Sequence, residues 1–266
     1  MLMTSLLGVG RKEKESFLLW CPPDVEETYD IFISYRQASD TVHARLLYDC
    51  LSKFVWGREG RRLRVFLDRE RLLPGYSWKE GFVEGLKRST IMVPIVSKGA
   101  LEPMSLANNF NPGNGEDWCD NVLLEWKLGL NLVQMDEYPL QAIYPIMVGS
   151  EDLTQKYKMK NFFAEISSLK FADTASAATD AELRRWLPNA VETLGLSVSD
   201  TKARLLESQG VKAWDAQATH GKDVSATHFD MHAGCAARVF EVLKRELSLQ
   251  RVPASPGAGT TTPTPA

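Results

Sequence analysis

Three short apolar runs set the limits on what this chain can become: Tyr29–Tyr35 (YDIFISY), Thr90–Val96 (TIMVPIV) and Ala142–Val148 (AIYPIMV). Each is rich in β-branched and aromatic residues, and each is shorter than a typical helix. None alternates regularly with polar residues, so each reads as a strand covered on both faces. Leu63–Leu67 (LRVFL) is a further strand of the same kind. The segments between them carry helical spacing instead. Val42, Leu46, Leu47, Cys50, Leu51 and Phe54 share one face of a helix predicted over Thr41–Phe54, with Asp40 as its N-cap. Ser77 and Glu80 have the spacing of a capping box for a helix over Trp78–Lys87. Val122, Leu123, Trp126, Leu130 and Val133 face inward from a helix over Cys119–Val133. Alternating strands and helices predict an α/β fold with a parallel sheet covered on both sides.

Pro94 is unusual for a central strand and predicts a bulge or an edge. Residues 97–117, with their Asn, Pro and Gly residues, read as one long loop. Beyond 149 the periodicity weakens. Helices are expected within 154–164 and 180–208, with Pro188 interrupting the latter. Val211–Trp214 after Gln209-Gly210 reads as a fifth strand, and Cys235–Leu247 as an amphipathic helix. Residues 1–27 are expected to be a partly ordered lead-in, broken by Pro22 and Pro23. The Pro/Gly/Thr-rich residues 249–266 lack the apolar side chains that would offset ordering entropy, and are expected to be a disordered tail.

Composition excludes several classes. Of 266 residues, 44% are hydrophobic and 24% charged, which suits a globular chain. Lys plus Arg total 31 against 34 Asp plus Glu, so no basic footprint for nucleic acid is present. Cys21, Cys50, Cys119 and Cys235 form no C-x-x-C pair, which argues against a zinc ribbon or disulfide framework. No apolar run approaches the roughly 20 residues of a membrane span. The start lacks the basic-then-apolar order of a signal peptide, so a cytoplasmic chain is expected. Neither G-x-G-x-x-G nor G-x-S-x-G occurs in the place that a dinucleotide site or nucleophile elbow needs. His228 and His232 stand four apart without the H-E-x-x-H glutamate, so no metal site is expected. The six arginines between Arg58 and Arg71 read as a solvated strand end and loop rather than a phosphate site.

Four blocks together carry a resemblance: Tyr29–Arg36 (YDIFISYR), Val65–Gly75 (VFLDRERLLPG), Ser89–Leu101 (STIMVPIVSKGAL) and Asp117–Trp126 (DWCDNVLLEW). In this order and spacing the chain resembles a TIR (Toll/interleukin-1 receptor) domain, closest in style to the NAD-cleaving members. The first block resembles box 1, the second box 2 with its BB loop, and the fourth the αC segment. The resemblance implies a flavodoxin-like three-layer sandwich, a five-stranded parallel sheet between helices. It places the domain at 28–248 with an insertion at about 150–205. The other possibility ends the domain near 196, with Leu169–Ala172 as the last strand.

Some TIR domains cleave the nicotinamide–ribose bond of NAD+ through an oxocarbenium-like cation. A nearby carboxylate stabilises that charge. Nicotinamide leaves as a neutral amine, so one carboxylate can suffice without a metal. By resemblance that carboxylate is Glu125, which from its neighbours alone lies either on an exposed stripe or at a cleft. Tyr35 and Arg36 end the first strand, where α/β sheets bind ligands. Arg36 could meet a phosphate or form an ion pair. Asp68, Gly75, Tyr76 and Trp78 belong to or flank the BB loop, which in the NAD-cleaving members closes over substrate. Asn121 stands where those members often carry an aromatic residue. The resemblance implies NAD+ as substrate, no resident cofactor, and self-association with other TIR domains through the BB loop and αC surfaces. It equally accommodates a non-catalytic scaffold that works by protein–protein contact.

Overall fold

The computed structural model describes residues 28–56, 60–68, 78–105, 119–149, 165–171, 173–207, 210–212 and 228–249. The lead-in, the tail beyond Leu249, the 154–164 helix and most of the BB loop, Gly75 and Tyr76 included, lie outside these residues. Eight strands and seven helices alternate along the described chain. In order they are β1 (Tyr29–Ser34), α1 (Gln37–Leu51), β2 (Val55–Trp56), β3 (Arg61–Arg62), β4 (Val65–Phe66), α2 (Trp78–Lys87) and β5 (Ser89–Ser97). Then come α3 (Lys98–Leu101), α4 (Asn121–Leu132), β6 (Ala142–Ile143), β7 (Ile146–Val148), α5 (Asp173–Trp186), α6 (Val198–Glu207), β8 (Val211–Lys212) and α7 (His228–Leu249).

The main sheet runs β4-β1-β5-β7-β8, with β6 also on β5, and every pairing in it is parallel. Read by sheet position, this is the two-one-three-four-five order of a flavodoxin-like fold. The β5 strand explains why the apolar runs form a sheet with two buried faces. Met92 and Val96 enter one core with Phe32, Phe66, Phe82, Leu86 and Trp126. Ile91, Val93 and Ile95 enter the other with Ile31, Ile33, Leu47, Val239 and Leu243. Helices α2, α4, α5 and α6 cover the first face, and α1 and α7 the second.

Pro94 corrects an expectation. It lies in the central strand, opposite Ser34 of β1. On the other side of β5, pairing to β6 stops at Met92 and pairing to β7 starts at Ile95. The proline, which has no N–H to donate, thus falls where that ladder is already interrupted at Tyr144-Pro145. The fourth run is accordingly two short strands rather than one. The fifth sheet position belongs to Val211–Lys212, while residues 169–171 form no strand.

Other local corrections follow from caps. The first helix starts at Gln37, with Arg36 in extended conformation before it, so Asp40 lies inside the first turn and is buried. Its buried stripe is Asp40, Ala44, Leu47, Cys50 and Leu51. Val42, two residues from Asp40, points about 200° around the helix from it, and is 66% exposed. The expected loop at 97–117 begins instead as structure. Ser97 accepts a hydrogen bond from the Ala100 N–H at 2.9 Å and starts α3, and a 3-10 turn follows at Glu102–Ser105. The first arginine of the Arg58–Arg71 segment to be described, Arg61, is bound at both nitrogens by Asp30, at 2.7 and 2.6 Å. This pair fastens the antiparallel β2–β3 hairpin to the start of β1.

The α4 helix is buried on nearly every side. Val122, Leu123, Leu124, Trp126, Leu128 and Leu132 are all buried, and so are Lys127 and Asn131. Lys127 Nζ donates to Ser176 Oγ, Asp180 Oδ1 and the Leu196 carbonyl. Asn131 donates to Thr193 Oγ1 and accepts from the Val191 and Glu192 N–H groups. These two residues, one helical turn apart, clamp α5 and the 191–196 turn onto α4. The buried sides of α4 are therefore covered by the chain's own helices.

Close approach makes one glycine sensitive. A Cβ on Gly85 of α2 would lie 2.5 Å from the Phe66 ring. That ring is stacked on Phe32 and edge-on to Tyr29, so it has nowhere to shift. Gly85→Ala is expected to destabilise the fold by about 1–3 kcal/mol, read as a lower urea midpoint with unchanged slope.

Candidate functional site

Strand order reverses between β1 and β5, and their carboxyl ends lie side by side. A crevice at such a reversal is where open α/β sheets bind ligands. Ser34, Tyr35 and Arg36 leave β1 there, Asp68 follows β4, and Ser97 ends β5. The α4 helix brings Asp120 and Glu125 to the same place. Its register is set by Asp120, an N-cap whose Oδ1 accepts the Leu123 N–H at 2.9 Å. Glu125 lies one turn further along the helix than Asn121.

Four hydrogen bonds organise the side chains. Ser34 Oγ donates to Glu125 Oε2 at 2.5 Å. The Tyr35 hydroxyl donates to Asp68 Oδ1 at 2.6 Å. Arg36 Nη2 pairs with Asp120 Oδ2 at 2.6 Å and reaches the Ala100 carbonyl at 3.0 Å. Arg36 is thus engaged in an ion pair that joins β1 to the start of α4 and the end of α3. Its buried Nε has no hydrogen-bond partner.

Of the residues singled out from sequence, Tyr35, Arg36, Asp68 and Glu125 converge here, with Asn121 at the first turn of the same helix. Trp78 opens α2, and only its backbone is described. Gly75 and Tyr76 fall among residues outside the description. Two contributors went unremarked as site residues. Asp120 was visible as an N-cap signal, an Asp before an apolar-periodic run. Ser34 had a fainter signal, a hydroxyl at the end of an otherwise apolar strand. His232 sits with its Nε2 at 3.0 Å from His43 Nδ1, ring against ring between α1 and α7. Among the described residues no cluster of three or more His, Cys, Asp or Glu could hold a metal.

The electrostatics centre on Glu125. The residue is half-buried, and removal of its carboxyl from water pushes its pKa up to about 8. The Ser34 hydrogen bond opposes this rise, as does the Arg36 charge, while Asp68 and Asp120 add to it. Three carboxyl groups thus face one guanidinium that is already paired. The site carries an acidic surplus in a poorly hydrated place. Such a site favours a cationic ligand or a developing positive charge.

A raised folded-state pKa means that the fold prefers the protonated acid. Glu125 therefore costs nothing below the unfolded value of 4.5, and costs progressively more as pH rises to about 8. Glu125→Gln is expected to match wild-type stability near pH 4 and to exceed it by about 3 kcal/mol at pH 7. Denaturant midpoints of both proteins across this range measure the divergence.

Comparison with known proteins bears on this arrangement. No curated protein matches the chain. Among the described residues, no helix is long and apolar enough to cross a membrane. The family model described as "TIR domain" matches residues 31–187, from the first strand to the end of α5 and one residue beyond it. That match covers more than half of the chain and includes β1, β5 and α4, the elements that build the crevice, so this chain belongs to the TIR domain family.

Proposed function

We propose that this TIR protein cleaves the nicotinamide–ribose bond of NAD+, with Glu125 as the catalytic carboxylate, after association with other TIR domains. Membership in the family implies a role in signalling, and TIR domains act there by contact with one another. The observation that carries the enzymatic reading is the Glu125 carboxyl at the carboxyl end of β1, desolvated and held by Ser34. A solvated helix glutamate would have neither feature.

The chemistry fits an acidic crevice. The nicotinamide ring of NAD+ carries a positive charge, and cleavage moves that charge onto the ribosyl carbon. The C–N bond breaks with its electron pair going to the ring nitrogen, so nicotinamide departs neutral and needs no proton. A carboxylate beside the ribose stabilises the cation that remains, until water or an internal nucleophile captures it. Arg36, paired with Asp120, leaves the negative surplus in place rather than cancelling it at Glu125. A cationic ring entering the crevice also favours ionisation of Glu125, so the substrate itself helps to create the form that acts.

The non-catalytic reading keeps one specific support: at neutral pH the free domain holds Glu125 largely as the neutral acid. Incubation with NAD+ at high protein concentration, under crowding that drives assembly, separates the two. Nicotinamide release is expected from the wild type and at least about a hundredfold less from Glu125→Ala. Equal release by the variant removes Glu125 as the catalyst, and no release by the wild type removes the enzyme and leaves the scaffold.

Ionised Glu125 is the active form, so kcat/KM should rise with pH through a midpoint near pH 8, the value of the free site, and level off above it. The profile of kcat should turn at lower pH, because the bound cation favours the carboxylate. Steady-state rates between pH 5.5 and 9 measure both limbs.

A further inference from the structure

Ser34 is an anomaly in its strand. It is fully buried, at 0% exposure, and it ends a run whose other buried members are mostly apolar. A buried hydroxyl without a partner is costly. The hydrogen bond described for this hydroxyl goes to Glu125, 91 residues away in sequence. The two ends of the contact differ in freedom. Ser34 is fixed by a strand paired on both sides, with Val65-Phe66 of β4 and with β5. Glu125 stands on a half-buried position of a helix and has a long side chain with three rotatable bonds. The strand therefore dictates where the carboxyl sits, and not the reverse.

We propose that Ser34 is a positioning residue, whose Oγ–H holds Glu125 Oε2 against the end of β1 and leaves Oε1 as the oxygen that meets the substrate. This inference rests on the NAD+-cleaving reading for its catalytic consequence, but the contact itself can be tested without turnover. The surroundings explain why the hydroxyl matters. Asp68 and Asp120 both disfavour a charged Glu125, and Arg36 is divided between Glu125 and the nearer Asp120. Of the groups that favour the carboxylate, Ser34 contributes most. It both orients the group and supports its ionised form.

The test uses the full chain with Ser34→Ala, which deletes one oxygen, and Ser34→Cys, which keeps the shape and a weak donor. With glutamate carboxyl carbons labelled, the signal that disappears in Glu125→Gln reports Glu125, and its titration is followed by NMR. In Ser34→Ala the midpoint should move up by roughly one pH unit, with Ser34→Cys between it and the wild type. The kcat/KM profile for nicotinamide release should move with it, a loss of up to about tenfold at pH 7 that is recovered above pH 9. A uniform fall in rate with no shift of either profile would mean a structural role only and overturn the proposal, as would a titration unchanged in Ser34→Ala. Should the wild type release no nicotinamide, the enzymatic reading fails along with the catalytic consequence, and the NMR titration still decides whether Ser34 governs the carboxyl.

Discussion

Parallel pairing of β5 with both of its neighbours is the constraint on which everything else rests. Eight of its nine residues, all but Thr90, are buried. Backbone N–H and C=O groups in such a place must find partners, and only strands on both sides can supply them. Pairing to β1 sets the register Ser34 opposite Pro94, and so fixes where β1 ends. That register puts the last residue of β1 at the mouth of the crevice. The interruption opposite Pro94 is tolerated because β6 and β7 divide the other edge between them.

From that register the electrostatics follow. Ser34, Tyr35 and Arg36 are consecutive, yet each is assigned to a different carboxyl group: Glu125, Asp68 and Asp120 respectively. Three turns of chemistry are thereby tied to one strand end. The outcome is a crevice whose single guanidinium is neutralised locally, with carboxyl groups in excess. A near-neutral chain with a net charge of -3 can hold such a site because the charges act at hydrogen-bond range, not through the field of the whole protein.

Burial of α4 shapes what association can look like. Lys127 has no exposed side-chain surface, and its amine is held by Ser176, Asp180 and the Leu196 carbonyl. Breaking such a buried pair by loss of one partner leaves an uncompensated charge. The α5 helix and the turn after it are thus an integral layer of this face rather than an appendage. The association proposed above would use surfaces other than the buried sides of this helix.

How much was legible beforehand depends on the range of the interaction concerned. The strands were legible because apolar runs with β-branched residues have few other places to go. Helix α4 was legible from the 3.6-residue period, although it starts at Asn121 behind the Asp120 cap rather than at Cys119. The four motif blocks made the family legible, and with it Glu125. Local cues misplaced what depends on distant partners. Asp40 looked like a cap, but the chain turns into the helix at Arg36 because Arg36 is anchored by Asp120, 84 residues on. Pro94 looked like a bulge or an edge, but the break in the opposite strand admits it to the centre. Val42 looked like core, but the sheet lies on the other side of α1.

The sequence by itself determined the alternation of strands and helices, the parallel sheet and the family, since these follow from patterns within a few residues or from linear motifs. Only the tertiary structure decided that Ser34 holds Glu125, that Arg36 is engaged by Asp120, and that Lys127 and Asn131 close the αC face. Each of those joins residues 53 to 91 positions apart through a bond of 2.5 to 2.7 Å, and such distances are set by strand register and helix packing, which no local pattern encodes.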